Sequence, residues 1–286
     1  MATRKRTTKA TRTRKAKPKG TSRRKPPSGG DGFRGRSALA MILYGPPGVG
    51  KTSFAAQFPN VGFIHDRQEE GVVILEEYGQ IPKPKFVECV ESFDAMLSVS
   101  DDVARGDTGV GTIVYDSFTG FEKLIFQSHC EEYYNGDWSK EGFYSYSQGP
   151  KNAAKTDVPK LLNVFDDIRQ AGINVIILAH STVKPYANPE GADYDRYIAD
   201  MDKATWGQIH RWAKAVVFYN YFVEINEKGT RNKARSGSEE RYLYSSWSPA
   251  YDAKNQYGLE PIIDAGASGE EAYQAFCDAF DAIGKT

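Results

Sequence analysis

Residues 45–52 form a glycine-rich segment with a lysine and a hydroxyl side chain at its end. The segment fits the pattern G-x-x-x-x-G-K-[ST]. Its residues are Gly45, Pro46, Pro47, Gly48, Val49, Gly50, Lys51 and Thr52, and Ser53 follows. Glycines let the main chain curl so that its N–H groups point at phosphate oxygens. Lys51 would reach the β- and γ-phosphates, and the Thr52 hydroxyl would ligate Mg²⁺. Residues 45–53 therefore predict a binding site for ATP with Mg²⁺.

Carboxylates follow two of the apolar strands downstream. Asp116 ends the apolar run at residues 112–115, and we expect it to hold the Mg²⁺ ion or its water shell. The next residue is Ser117, so the acid that activates the attacking water must come from elsewhere. Glu69 and Glu70 follow the second predicted strand and are the candidates for that base, with Asp66 third. A solvated turn without function is the alternative for these acids.

His180 ends a further apolar run at residues 175–179. A residue at the end of this strand lies at the same edge of the sheet as the glycine-rich segment. We therefore expect His180 to contact the γ-phosphate and to transmit its presence to the loop that follows. A purely structural histidine is the alternative. The predicted catalytic residues are Lys51, Glu69, Glu70 and His180.

Alternating strands and helices must position these residues. The pattern predicts strands at residues 38–44, 61–65, 112–115, 174–179, 216–225 and 241–244, and helices at 52–57, 92–106, from 118, at 157–170 and at 269–283. Ser92 and Ser268 have the spacing of helix N-caps. This order predicts an α/β fold with a mostly parallel sheet and helices on both faces.

Charge divides the chain into two regions. The whole chain has 37 basic and 37 acidic residues, and residues 1–36 hold fourteen of the basic ones and one acid, which leaves 23 basic and 36 acidic residues for 37–286. Residues 1–36 are nearly free of large apolar side chains, so we predict a disordered polybasic tail that contacts nucleic acid. A tail that folds back on the acidic body, or one that aids solubility, is the alternative. Residues 37–286 would form the nucleotide-binding domain.

The apolar runs of the sequence are far shorter than the ~20 residues that a membrane span needs. The N-terminal residues lack the apolar stretch that is typical of a secretory signal. The three cysteines, Cys89, Cys130 and Cys277, are scattered and lack metal-ligand spacing. We therefore expect a cytoplasmic protein, in a bacterium or a phage-infected host cell, with no membrane partner.

Several of these features together resemble the RecA-like ATPases over about residues 38–264. They are the glycine-rich segment 45–52, called the P-loop below, the acids Glu69 and Glu70 after the second predicted strand, and the serine directly after Asp116. His180 at the end of its strand is a further one. The segment Tyr251-Asp252-Ala253-Lys254-Asn255 is also similar to that family's Tyr-x-Ala-Lys-Asn segment. The nearest likeness is to phage-type ATP-binding single-strand annealing or recombination proteins. The resemblance implies a RecA-like P-loop NTPase core, self-association into a filament or ring, and a Lys254 that reaches the γ-phosphate of a neighbouring subunit.

The resemblance also implies two loops that contact DNA. The first would be residues 133–155, with Tyr133, Tyr134, Trp138, Phe143, Tyr144, Tyr146 and Lys151; the second would follow His180, with Lys184, Tyr186, Tyr194, Arg196, Tyr197 and Lys203. Aromatic rings among cations suit single-stranded DNA, because bases stack on rings while cations follow phosphates. Five acids in the second loop oppose this interpretation, and a subunit interface or a lid is the alternative.

The leading hypothesis is an ATP-hydrolysing, DNA-binding protein that acts in recombination or single-strand annealing, with DNA-stimulated turnover. One alternative is an AAA-type motor or remodelling ATPase that acts on protein or duplex DNA. Another is a nucleic-acid binding module that uses ATP as a structural ligand. A small-molecule P-loop kinase would have no obvious use for the basic tail and the tyrosine-rich loops.

Overall fold

The computed structural model describes residues 37–222, 224–226, 233–235 and 240–283. The predicted tail, residues 1–36, lies outside these ranges. The strands are β1 (Ala40–Gly45), β2 (Val61–Asp66), β3 (Phe86–Val90), β4 (Thr112–Asp116), β5 (Asn174–Tyr186), β6 (Tyr194–Ala199), β7 (Ala215–Tyr221), β8 (Glu224–Asn226), β9 (Lys233–Arg235), β10 (Arg241–Tyr244), β11 (Lys254–Asn255) and β12 (Ile262–Gly266). The helices are α1 (Lys51–Ala55), α2 (Gly71–Glu77), α3 (Phe93–Ala104), α4 (Phe118–Tyr134), α5 (Gln148–Gln170), α6 (Lys203–Trp212) and α7 (Gly269–Ala282).

The strands form one large sheet in the order β12-β10-β7-β1-β5-β4-β2-β3. The central strands β7, β1, β5, β4, β2 and β3 run parallel. Antiparallel strands β10 and β12 extend one side, while β6 and β11 pair with β5 and β7. The predicted fold class, a mostly parallel α/β sheet, is confirmed. β8 and β9 form a separate antiparallel pair.

Two apolar layers hold helices on both faces of the sheet. Strands β1, β4 and β5 are apolar at consecutive positions because both of their faces are covered. One layer packs α3, α4, α5 and α6 against the sheet, with the Tyr115 and Phe165 rings 4.4 Å apart. The other packs α1 and α7, with the Phe54 and Phe276 rings 5.5 Å apart. Each buried large side chain contributes roughly 1.5–3 kcal/mol to the stability that fixes the strands.

The helix caps agree with the predicted ones, but several element boundaries differ. Ser92 Oγ accepts from Ala95 N, and Ser268 Oγ accepts from Glu271 N. Helix α5 begins at Gln148 rather than at residue 157, and β5 continues past the predicted end at residue 179 because its second half pairs with β6. Strand β3 and helix α2 were not predicted. Among the described helices, none is long and apolar enough to span a membrane.

Candidate nucleotide site

The glycine-rich segment connects β1 to α1 at the carboxyl edge of the sheet. Gly48 and Gly50 have φ angles of 76° and 100°, a left-handed conformation that glycine adopts without steric cost. A Cβ atom on Gly45 would lie 2.1 Å from the Tyr219 carbonyl oxygen, so this position also requires glycine. The main chain therefore has the curl that a phosphate cradle needs.

Lys51 lies at the mouth of this curl. Its side chain is buried, and Nζ donates to the carbonyl oxygens of Gly45 and Pro46, each at 3.0 Å. Burial lowers the pKa of Lys51 to about 8, while the carboxylates of Asp116 and Glu69 oppose that shift. A triphosphate at this point would supply the anionic partner that favours the charged ammonium.

The predicted metal ligands, Thr52 and Asp116, are in direct contact. Thr52 Oγ1 donates to Asp116 Oδ2 at 2.7 Å, and the peptide bond between Asp116 and Ser117 is cis. Burial raises the pKa of Asp116 to about 6, and the hydrogen bond from Thr52 opposes this. A hydroxyl and a carboxylate held together provide the oxygen ligands that Mg²⁺ prefers. These two residues fit the metal, and phosphate oxygens would complete its shell.

Glu69, Ser117 and His180 form a hydrogen-bonded group beside this pair. Glu69 Oε1 lies 2.6 Å from His180 Nε2 and accepts from Ser117 Oγ at 3.1 Å. The His180 hydrogen bond lowers the pKa of Glu69, although partial burial opposes it. Glu69 is therefore ionised at neutral pH, as a general base must be before it takes a proton.

Strand register brings these residues together. His180 lies opposite Gly45 in the β1–β5 pair, and Asp116 lies opposite His65 in the β2–β4 pair. The main-chain N–H of His180 donates to Thr119 Oγ1 at 3.2 Å, which ties β5 to the start of α4. Residues more than a hundred positions apart thus share one edge of the sheet.

Comparison with known proteins agrees with this geometry. Residues 37–257 match the model of an AAA domain family, which is more than half of the chain. The chain belongs to that AAA domain family. This membership supports a P-loop ATPase, and the assignment of Lys51, Thr52 and Asp116 to its nucleotide site stays a prediction.

A KaiC-like protein of known structure, from the hyperthermophilic archaeon Pyrococcus horikoshii OT3, is similar to this chain with a TM-score of 0.41 and 13% sequence identity. The alignment covers 82% of this chain and 88% of that protein. A comparison with curated protein sequences gave no match.

The other predicted acids of the AAA domain are placed differently from Glu69. Glu70 is exposed at the N-terminus of α2, and within the described residues no side-chain hydrogen bond or ion pair joins it to the nucleotide site. Asp66 is buried, its Oδ1 accepts from Gln68 N at 2.7 Å, and its Oδ2 has no hydrogen bond within the described residues. The turn after β2 therefore directs Glu69, and not Glu70, toward Ser117 and His180.

Two side chains that the sequence did not single out brace the P-loop. Tyr221 Oη, at the end of β7, donates to the Gly48 carbonyl oxygen at 3.0 Å. The Arg241 guanidinium lies 5.3 Å from the Tyr221 ring centroid, and its Nη1 lies 2.6 Å from the place of a Cβ on Gly50. Only the antiparallel register of β7 and β10 brings Arg241 here, and no local motif signals that pairing.

Lys254 does not lie at the nucleotide site of its own chain. Its Nζ donates to the carbonyl oxygens of His210, Arg211 and Ala213, at the C-terminal end of α6, at 3.1, 3.1 and 2.6 Å. It sits on β11, which pairs with the first residues of β7, at the sheet edge opposite the P-loop. Within the chain Lys254 caps a helix, since cations stabilise exposed carbonyls there. Its contact with a neighbour's phosphate stays a prediction.

The two predicted DNA-contacting loops are largely ordered secondary structure. The second is mainly the β5–β6 hairpin, and Arg196 within it is buried, with Nη2 donating to the Tyr251 carbonyl oxygen at 3.0 Å. In the first, Phe143 is fully buried against Trp138 and other rings. Arg196 and Phe143 are thus structural, because neither side chain is available to a ligand. Lys151 lies on α5.

A buried carboxyl lies on α4, away from the P-loop. Both oxygens of Glu122 accept from the main-chain N–H of Asp202, at 2.9 and 3.0 Å, at the start of α6. Burial raises the pKa of Glu122 to about 7; its hydrogen bonds oppose this, and the nearby carboxylates of Asp200 and Asp202 add to it. Glu122 therefore links α4 to the start of α6, although burial and the neighbouring carboxylates disfavour its ionised form.

Proposed function

We propose that this protein hydrolyses ATP in order to act on single-stranded DNA, in recombination or strand annealing. The observation that carries the proposal is β5, a single strand whose buried first half ends at His180 in the nucleotide site. Its second half leaves the core as the exposed arm of the β5–β6 hairpin. A contact of His180 with the γ-phosphate would thus be made by the same strand that carries the hairpin.

Exposed aromatic side chains support the choice of a single-stranded partner. Tyr146 is 90% exposed, and Trp138, Tyr144 and Tyr133 are about half exposed at the junction of α4 and α5. Base stacking on such rings contributes roughly 1–3 kcal/mol per base, without sequence preference. The polybasic residues 1–36 would add a salt-sensitive contact with phosphates.

In the reaction, bound ATP supplies the phosphoryl group that water attacks, and Mg²⁺ neutralises charge on its oxygens. Lys51 would hold the terminal phosphates, and Thr52 with Asp116 would hold the metal. Glu69 would orient the attacking water and accept its proton. His180, hydrogen-bonded to Glu69, would keep that carboxylate in place.

A second candidate function is a remodelling ATPase that acts on protein or duplex DNA. The match to an AAA domain family favours it. Both functions predict a self-associated state, a filament or a ring. They differ in the polymer that stimulates turnover.

The test is the rate of ATP hydrolysis by the full chain with Mg²⁺ at low salt. We expect single-stranded DNA to stimulate turnover, duplex DNA or unfolded protein to have little effect, and Lys51→Ala to abolish hydrolysis. Lys83→Ala is the matched control, because that lysine is exposed and remote from the P-loop. If single-stranded DNA changes neither turnover nor self-association, the recombination function is wrong even where hydrolysis persists.

A further inference from the structure

A surface cavity of about 550 Å³ lies between α5, α6 and the segment before β11. Its volume is within the roughly 300–1,000 Å³ of small-ligand sites. Its walls carry four cationic side chains, two aromatic rings and one carboxylate: Lys151, Lys155, Lys203, Arg211, Trp206, His210 and Asp252. The P-loop does not contribute to it.

The four cations of this cavity lack carboxylate partners within the described part of the chain. The lining carboxylate, Asp252, already has a cation beside it, because Arg196 Nη2 lies 3.7 Å from its Oδ1. The cavity is thus a cationic concavity on a body in which acids outnumber bases, 36 to 23. Such a concentration of one charge attracts anions.

Gly207 lies in the lining of the cavity. It lies in the interior of α6, where glycine costs roughly 1 kcal/mol relative to alanine. A Cβ atom here would meet nothing within 4 Å, so neither steric conflict nor a positive φ angle explains the residue. A longer side chain at this position would project into the space between the cations.

The fold also joins this cavity to the strand that carries the P-loop. The Trp206 ring lies 5.8 Å from the ring of Tyr44, the residue before Gly45. Tyr44 Oη donates to the main-chain oxygen of Asp252 at 2.6 Å and accepts from its N–H at 2.8 Å. A ligand against Trp206 and Asp252 would therefore lie one side chain away from β1.

We propose that this cavity binds the phosphodiester backbone of single-stranded nucleic acid, with consecutive phosphates at its lysines and Arg211. The inference rests on the proposed function for the choice of ligand, and it places the strand on the α5–α6 face. Lys151 and Lys203 come from two separate stretches of sequence, and the fold brings both to one site.

Lysine footprinting tests this inference on the full chain. An amine-acylating reagent is applied with and without a 20-nucleotide oligothymidylate, and the extent of acylation at each lysine is read by mass spectrometry. At an oligonucleotide concentration ten times Kd, we expect about tenfold slower acylation of Lys151, Lys155 and Lys203. Lys83, exposed elsewhere on the surface, is the internal control and should be unprotected.

Two variants test the same site independently. The second test is the salt dependence of the observed binding constant for the oligonucleotide, Kobs. Each phosphate contact on a single strand contributes about 0.7 to the slope of log Kobs against log salt, so replacing the three cavity lysines by glutamine should reduce the slope by about 2. Gly207→Leu keeps every charge but places an apolar side chain between the cations, and it should weaken the protection without lowering the Tm. Gly207→Ala is its matched control and should retain the protection.

The outcomes separate this inference from the proposed function. Protection of the lysines in residues 1–36 without protection in the cavity would overturn the cavity site and leave DNA binding intact. Equal protection by pyrophosphate or Mg-ATP would make it a nucleotide-phosphate site and overturn the strand proposal. An unchanged salt slope in the triple variant would also overturn it, and failure of wild-type protein to bind the oligonucleotide would overturn both.

Discussion

Glu69→Gln should abolish most ATP hydrolysis while leaving nucleotide binding intact. Glu69 Oε1 carries both of its hydrogen bonds, from the His180 and Ser117 side chains, and Oε2 has none within the described residues. That second oxygen is free to accept a proton from water. Glutamine keeps the size of the side chain and an acceptor oxygen, so it removes the base and little else.

The expected loss follows from the role of a general base. Proton transfer by a positioned side chain contributes roughly 10²–10⁴-fold to kcat, which corresponds to about 3–5 kcal/mol of activation free energy. The structural cost of the substitution is smaller, because one charge-assisted hydrogen bond to His180 becomes neutral, at about 1 kcal/mol. A fall of two or more decades in kcat therefore cannot come from misfolding alone.

The assay is steady-state phosphate release with saturating Mg-ATP and single-stranded DNA, beside equilibrium titration with a fluorescent ATP analogue. Glu70→Gln is the matched control, because this neighbouring acid is exposed and its side chain has no hydrogen bond or ion pair to the site in the described part of the chain. We expect it to stay within about twofold of wild type, as exposed substitutions usually have small effects. Near-normal turnover by the Glu69 variant, or an equal loss in the Glu70 variant, would refute the assignment.

Three further predictions concern stability. Burial raises the pKa of Glu122 from its ordinary value of 4.5 to about 7 in the folded protein. Wild-type protein should therefore lose up to about 3 kcal/mol of unfolding free energy relative to Glu122→Gln as pH rises from 4.5 to 7. Urea titrations at pH 5 and pH 8 measure this, and a pH-independent difference would contradict it. Gly120→Ala should lower the Tm, because its Cβ would overlap Asp66 Oδ2 at an overpacking cost of about 1–3 kcal/mol. Gly207→Ala should raise the Tm, because its Cβ would lie in open space and alanine favours the helix. Lys254→Met should cost about 1–2 kcal/mol of unfolding free energy by uncapping α6, with turnover retained. Lost turnover at unchanged stability would instead support its contact with a neighbouring subunit.

Local sequence patterns predicted the central sheet well. Consecutive apolar residues marked β1, β4 and β5, because strands covered on both faces need no polar alternation. The prediction of β5 stopped too early, since the exposed half of the strand is held by pairing with β6 rather than by burial. Strand β3 was missed for a related reason: most of its side chains are exposed or half-buried, so its apolar signal is weak.

The candidate site was predictable where a polar residue ends an apolar run of the sequence. Asp116 and His180 are such residues, and the structure places both at the P-loop edge. Glu69 and Glu70 could not be separated, because their directions depend on the turn after β2. Arg241 was beyond local reasoning, since its position beside the P-loop comes from the pairing of β10 with β7.

Strand register is thus what builds the geometry of the candidate site. The β1–β5 pair sets Gly45 opposite His180, and side chains alternate between the two faces of a strand. A slip of β5 by one residue would turn His180 to the other face and bring Ala179 or Ser181 to the phosphate edge. The same slip would expose the buried residues of β5 to the wrong helical layer, so it would cost core packing as well as the hydrogen bond to Glu69. The apolar residues of β5 therefore fix the position of His180 as firmly as its own hydrogen bonds do.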